Sequence, residues 1–253
     1  MPRNVKLVLA YDGAIFHGWQ VQPDRPSVQG TLADAIERLT GEKILPQGSG
    51  RTDAGVHAMG QVASFAIESP IPIENLQRAL NELLPSAVRV LGAAEAPAGF
   101  HARHSALAKT YQFRIYRGEI CPPFVARFVY HHPYRLDETA MVNAAGVVAG
   151  RHDYTTFAAV DPDLSLAARG IAADNVRTIF SSGFERNGDE LVYTVRGDGF
   201  LHHMVRNLVG TFLLIGKGSL SEEDLRRILA ARDRSAAGPT APASGLCLVS
   251  VEY

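Results

Sequence analysis

The chain has 253 residues, 46% of them hydrophobic and 20% charged, with a formal net charge of −1. That length and apolar content suit a globular protein with one large core or two smaller ones. No run of 18 apolar residues occurs, which excludes a transmembrane helix, and near-neutrality provides no global attraction to nucleic acid.

Residues 1–5 lead straight into an alternating strand pattern, without the basic, apolar and small-residue segments of a secretory leader. Cys121 and Cys247 lie far apart and form no CxxC pair, so neither a disulfide framework nor a structural zinc site is expected; a reducing cytoplasm fits. Residues 6–12 alternate as a strand. Ser27 then precedes Val28, Leu32, Ala35, Ile36 and Leu39, the spacing of an amphipathic helix. Residues 44–48 and 61–67 read as strands bracketing a polar, glycine-rich loop. Pro72 opens a second helix with Ile73, Leu76, Leu80 and Leu83 as its apolar stripe; Pro85 stops it. Residues 88–93 form a strand, and 92–98 read as a linker.

The same order then recurs. Residues 109–116 alternate as a strand, and Asp137 caps a helix carrying Met141, Ala144, Ala145 and Val148. Residues 176–184 and 191–196 read as strands joined by the turn signal Asn187-Gly188-Asp189. Residues 200–215 are helical, with Met204, Leu208, Phe212 and Ile215 on one stripe. Ser221 and Asp224 cap a short helix. Residues 236–244 form a loop, and 246–253 form the closing strand. Two β-α-β-β-α-β runs predict an α+β protein of two ferredoxin-like halves, 1–105 and 106–253, with antiparallel sheets meeting at a central cleft.

The residues richest in chemistry lie in 48–58, Gly-Ser-Gly-Arg-Thr-Asp-Ala-Gly-Val-His-Ala. Three glycines allow tight turns and close approach to a ligand. Arg51, Asp53 and His57 place a guanidinium, a carboxylate and an imidazole within seven residues. Asp53 could equally make a plain Asx turn. The loop lacks the GxxxxGK[ST] pattern of a phosphate cradle. Basic side chains cluster locally at Arg103, His104, Lys109, Arg114 and Arg117, at Arg51 with His57, and at His202, His203 and Arg206.

Gly-Arg-Thr-Asp-Ala-Gly-Val-His-Ala (50–58) resembles the signature loop of the TruA-type pseudouridine synthases. Phe100-His101-Ala102-Arg103 and Ala108-Lys109-Thr110-Tyr111 resemble that family's second block. Residues 199–207, Gly-Phe-Leu-His-His-Met-Val-Arg-Asn, through Val209-Gly210 resemble its third, and 241–246 through 251–253 its C-terminal block. Tyr11-Asp12-Gly13 with Phe16-His17-Gly18-Trp19-Gln20 matches the N-terminal stretch. The likeness spans essentially the whole chain. It implies conversion of uridines at positions 38, 39 and 40 of the tRNA anticodon stem-loop to pseudouridine, by a homodimer, with no cofactor, metal or membrane involved. It makes Asp53 the essential carboxylate, with Arg206 as the cation that keeps it ionised. Tyr111 would stack on the target base and help in proton transfer, although Phe113 and Ile115 share its face. Arg51 would act as a wedge or phosphate contact, Leu246 would pack on the base, and His57 and His202 would touch phosphates.

Two rival classes are testable. A metal-dependent hydrolase would use His101, His104, His131, His132, His202 and His203, but no HExxH or paired-cysteine set is present. A non-catalytic RNA-binding module would suit the fold, but no RNP1-like run of aromatics occurs.

Overall fold

The structure, a computed structural model, describes residues 2–159 and 174–253. Helices and strands are mixed throughout, and the chain divides into two compact units, Met1–Lys109 with Leu246–Tyr253, and Thr110–Gly245.

The first unit opens with β1 (Arg3–Tyr11), whose alternation buries Val5, Leu7, Leu9 and Tyr11. In α1 (Val28–Thr40), the Ser27 hydroxyl accepts from the Gly30 N–H at 3.2 Å, and Gly41 ends the helix at φ 77. Its stripe of Val28, Leu32, Ala35 and Ile36 is buried. β2 (Gln47–Gly48) is shorter than the 44–48 strand expected, because Pro46 has no N–H to donate to a ladder. β3 (His57–Ile67) is longer than expected and already begins at His57. α2 (Ile73–Leu83) buries Leu76 and Leu80 completely, each contributing about 1.5–3 kcal/mol.

β4 (Val88–Ala96) runs through most of the expected linker, so 92–98 does not separate the units. Small residues in 92–96 gave no alternating signal, yet their backbones pair with β1, from Val8↔Gly92 to Asn4↔Ala96. Pairing depends on an available edge as well as on side chains.

In the second unit, β5 (Ala108–Tyr116) crosses the boundary with its first two residues. A single turn, α3 (Pro123–Ala126), leads to β6 (Tyr130–His131), which pairs in parallel with β5. Asp137 caps α4 (Glu138–Ala145) as expected. β7 (Gly150–Asp153), β8 (Val176–Asn187) and β9 (Glu190–Gly197) follow, giving the order β5-β9-β8-β7. Gly188, at φ 56, lies in the two-residue turn between Asn187 and Glu190. α5 (Met204–Gly216) is apolar nearly all round, and its Met204, Leu208, Phe212 and Ile215 are buried. The Phe212 ring meets Tyr193 at 5.2 Å and Phe184 at 5.5 Å. α6 (Glu222–Ala231) starts at a complete capping box of Ser221 and Asp224.

The closing strand, β10 (Leu246–Glu252), is counted with the first unit, although the repeated element order placed it in the second half. It pairs in parallel with β3 through Cys247↔His57 and Leu248↔Ala58. At Gly60, any Cβ would overlap the Val249 carbonyl, so the closeness of the two strands depends on that glycine. With β1–β3, β1–β4 and β2–β3 antiparallel, the first unit's sheet is mixed and not purely antiparallel. Among the described residues, no helix is long and apolar enough to cross a membrane.

Candidate active site

The 48–58 segment leaves β2 and returns to the start of β3, and every stretch of it is tethered within the first unit. The Ser49 N–H donates to the Val62 carbonyl at 2.8 Å, and its hydroxyl bonds Gln61 Oε1 at 2.6 Å. Gln61 Nε2 donates to the Gly50 carbonyl at 2.9 Å. The Thr52 hydroxyl meets the Tyr11 phenol at 2.8 Å, and the Thr52 carbonyl accepts the Trp19 N–H at 3.0 Å. Gly55 N–H reaches the Phe16 carbonyl at 3.3 Å. Ser49, Thr52, Gln61 and Tyr11 are all buried, so these are satisfied polar contacts in a low-dielectric setting, where loss of one partner is costly. Burial pushes the Tyr11 phenol well above its ordinary pKa, which leaves it a neutral hydrogen-bonding group.

Asp53 opens a tight turn. Its carbonyl accepts the Val56 N–H at 3.1 Å, and Gly55 adopts φ 80, the left-handed value required at the third position of a type II turn. Its side chain is half-buried, between buried Thr52 and exposed Ala54. It is the single carboxylate in 48–58. The backbone on both sides is therefore fixed, and the carboxylate is presented from a rigid seat.

The surrounding residues sort differently from expectation. Arg51 is exposed. Leu246 is buried at the start of β10, next to the Cys247↔His57 pairing and so at the end of the loop. His57 is not available to phosphates: it is buried, and Nδ1 accepts the Gly13 N–H at 3.0 Å, with Asp12 Oδ1 3.3 Å away. Sequence spacing placed it in the loop, whereas it is the first residue of a strand. Lys109, read from sequence as one of a basic group, has its ammonium against the loop, 3.2 Å from where a Cβ on Gly50 would lie.

Tyr111, His202 and Arg206 belong to the second unit. Tyr111 is buried on β5, and its ring packs edge-on to Phe200 at 5.0 Å, which links it to the 199–207 segment. His202 and His203 are half-buried with rings 4.0 Å apart. His203 sits at φ 58 immediately before α5, a left-handed conformation that is disfavoured for a residue with a Cβ. It also explains why α5 starts at Met204 and not at 200. Arg206, half-buried in the first turn of α5, donates through Nε to the Ala241 carbonyl at 2.8 Å.

Part of the expected basic surface is neutralised locally. Arg114 makes two 2.6 Å bonds to Glu190, and Arg117 donates to Glu138 at 3.0 Å. Arg103 and His104 remain exposed. His101 is tied down, its Nδ1 accepting from the Arg103 N–H at 3.1 Å. His131 bonds the Gly118 carbonyl at 2.9 Å, and buried His132 faces Arg117.

A family model described as tRNA pseudouridine synthase matches residues 7–105 and 144–253. A tRNA pseudouridine synthase A of Solibacter usitatus is 52% identical over 251 residues, covering 99% of this chain and all of the relative. Proteins of the same name from Moorella thermoacetica and Brevibacillus brevis are 45% and 43% identical, covering 98% and 99% of this chain and 99% and 100% of their own length. On matches of that length and identity, the chain belongs to the tRNA pseudouridine synthase family.

Proposed function

We propose that this protein isomerises uridine to pseudouridine at positions 38, 39 and 40 of the tRNA anticodon stem-loop, with Asp53 as the essential carboxylate. The full-length likeness to tRNA pseudouridine synthases supports the reaction. The observation that carries the role of Asp53 is the tethered seat of 48–58, which presents one carboxylate from a backbone fixed on both sides.

The chemistry balances within one nucleotide. The N1–C1′ bond breaks, a C5–C1′ bond forms, the C5 proton leaves and N1 gains a proton. No oxidant, reductant or co-substrate is consumed, which is consistent with a reaction that uses no cofactor or metal. A carboxylate attacking C1′ of the ribose or C6 of the base splits the difficult step into two. Either attack requires an ionised Asp53, and a neighbouring cation favours that state; Arg206 is assigned this role. A paired uridine must first leave the helix stack, at a cost of a few kcal/mol. Tyr111 is assigned to hold the everted base by stacking, Leu246 to pack against it, and Arg51 and His202 to contact the RNA backbone. The reading includes a cytoplasmic homodimer as the working form.

The ferredoxin-like description of each half is part of the same reading. In the first unit it is supported by the order β4-β1-β3-β2 of antiparallel neighbours, with α1 and α2 as the two crossovers. The test of function is tritium release from C5-labelled uridine in tRNA. The protein should release tritium in proportion to pseudouridine formed, and a protein that only binds RNA would release none at any time.

A further inference from the structure

We propose that residues 233–241 form a strap whose purpose is to aim the Arg206 side chain, with Asn207, Arg234 and Thr240 as positioning residues. The inference rests on the assignment of Arg206 above.

The sequence reads residues 236–244 as an Ala-Pro-Gly loop, yet residues 238–241 are clasped to α5 at consecutive points. The fully buried Asn207 amide donates to the Phe157 carbonyl at 2.7 Å. Its oxygen accepts from Thr240 Oγ1 at 2.7 Å and from Arg234 Nη2 at 3.0 Å. Arg234 also reaches Thr240 Oγ1 at 3.1 Å and the Gly238 carbonyl at 3.1 Å. The Gly238 N–H donates to Thr211 Oγ1 at 2.9 Å. The two main chains touch: a Cβ on Gly210 would overlap the Pro239 carbonyl.

These clasps end at Arg206. The Ala241 N–H donates to the Arg206 carbonyl at 3.1 Å, and the Ala241 carbonyl accepts from Arg206 Nε at 2.8 Å. One residue of the strap thus holds both the backbone and the guanidinium of Arg206. A guanidinium bonded through Nε is restrained in its rotation, with the Nε edge turned toward that carbonyl. A charge that must act over a few ångströms benefits from such fixing, since a misplacement of about 1 Å can cost on the order of a hundredfold in rate.

Asn207 serves this geometry with both ends of its side-chain amide. Its oxygen takes two donors from the strap while its nitrogen anchors to Phe157, so the helix is tied to two separate segments. Arg234 spends its guanidinium on carbonyls, a hydroxyl and an amide oxygen. These are choices suited to shaping a turn.

The test is a double-mutant cycle on single-turnover rates, with tRNA affinity measured alongside. Thr240→Val removes the two hydroxyl bonds to Asn207 and Arg234 at nearly constant volume and should slow turnover about tenfold, with affinity changed by less than about twofold. Thr240→Ser keeps the hydroxyl and should restore the original rate. Arg206→Lys keeps the charge but replaces the fixed planar Nε–H with a freely rotating ammonium, so in that background the Thr240→Val step should alter the rate by less than about twofold. An equal loss in both backgrounds would make the strap a purely structural support and overturn the inference, leaving the role of Arg206 intact. So would a Thr240→Val enzyme at full rate. An Arg206→Lys enzyme at full rate would overturn the inference and the assignment of Arg206 together.

Discussion

Gly18 shows how much of the site depends on single backbone positions. It adopts φ 91, and a Cβ there would lie 2.5 Å from the Thr52 carbonyl, one residue before Asp53. Gly18→Ala should destabilise the protein by more than about 1 kcal/mol and also lower turnover, because both strain and collision fall on the loop. Thermal unfolding and tritium release check the two parts; a fully stable, fully active variant would contradict the tethered seat. At Tyr111 the ring and the hydroxyl can be separated. Tyr111→Phe should leave tRNA affinity unchanged and slow turnover about a hundredfold if the hydroxyl moves a proton. An unimpaired rate would leave Tyr111 with stacking alone. Residue chemistry was legible where type and spacing carry it, as with Asp53 among its glycines. Burial was not: His57 reads as a loop imidazole, yet it opens β3 and is enclosed against Gly13 and Asp12. The contact between Lys109 and Gly50 joins residues 59 positions apart, which no local pattern can display.

Helices were easier to read than strands because their signals are local. Ser27, Asp137 and Ser221 each accept from a backbone N–H at the expected helix start. The α6 box gives a test. Hydrogen bonds from Ser221, with Arg227 alongside, hold the Asp224 carboxyl down at about 2, below its ordinary 3.8. A depressed folded value means its contribution is complete above about 3.8 and is lost as pH falls through about 2. Asp224→Asn should therefore lower the thermal midpoint near neutrality, and the gap to the parent should close across that acid range. Removing the other half, Ser221→Ala, should cost about 1 kcal/mol at neutral pH. Strands gave way to partners that sequence does not display. β2 is cut short by Pro46, 92–96 joins β1 despite its small residues, and β10 lies against β3, nearly 190 positions earlier in the chain.

For the whole molecule, the formal charge of −1 must be reconciled with a polyanionic substrate. Carboxylates already neutralise Arg114 and Arg117, so phosphate contacts fall to fewer cations than composition suggests. The KM for tRNA should still rise with salt, with each phosphate contact contributing about 0.7–0.9 to the logarithmic slope. Arg51→Ala should reduce that slope by about one. A slope unchanged by that variant would remove Arg51 from the RNA contacts. The most direct measurement is on Asp53→Asn, assayed for tritium release from C5-labelled uridine in tRNA and for tRNA binding in parallel. The amide keeps the size of the side chain and removes its charge, so binding should persist while no tritium is released above background. Release at the parent rate would contradict the role given to Asp53 and with it the mechanism.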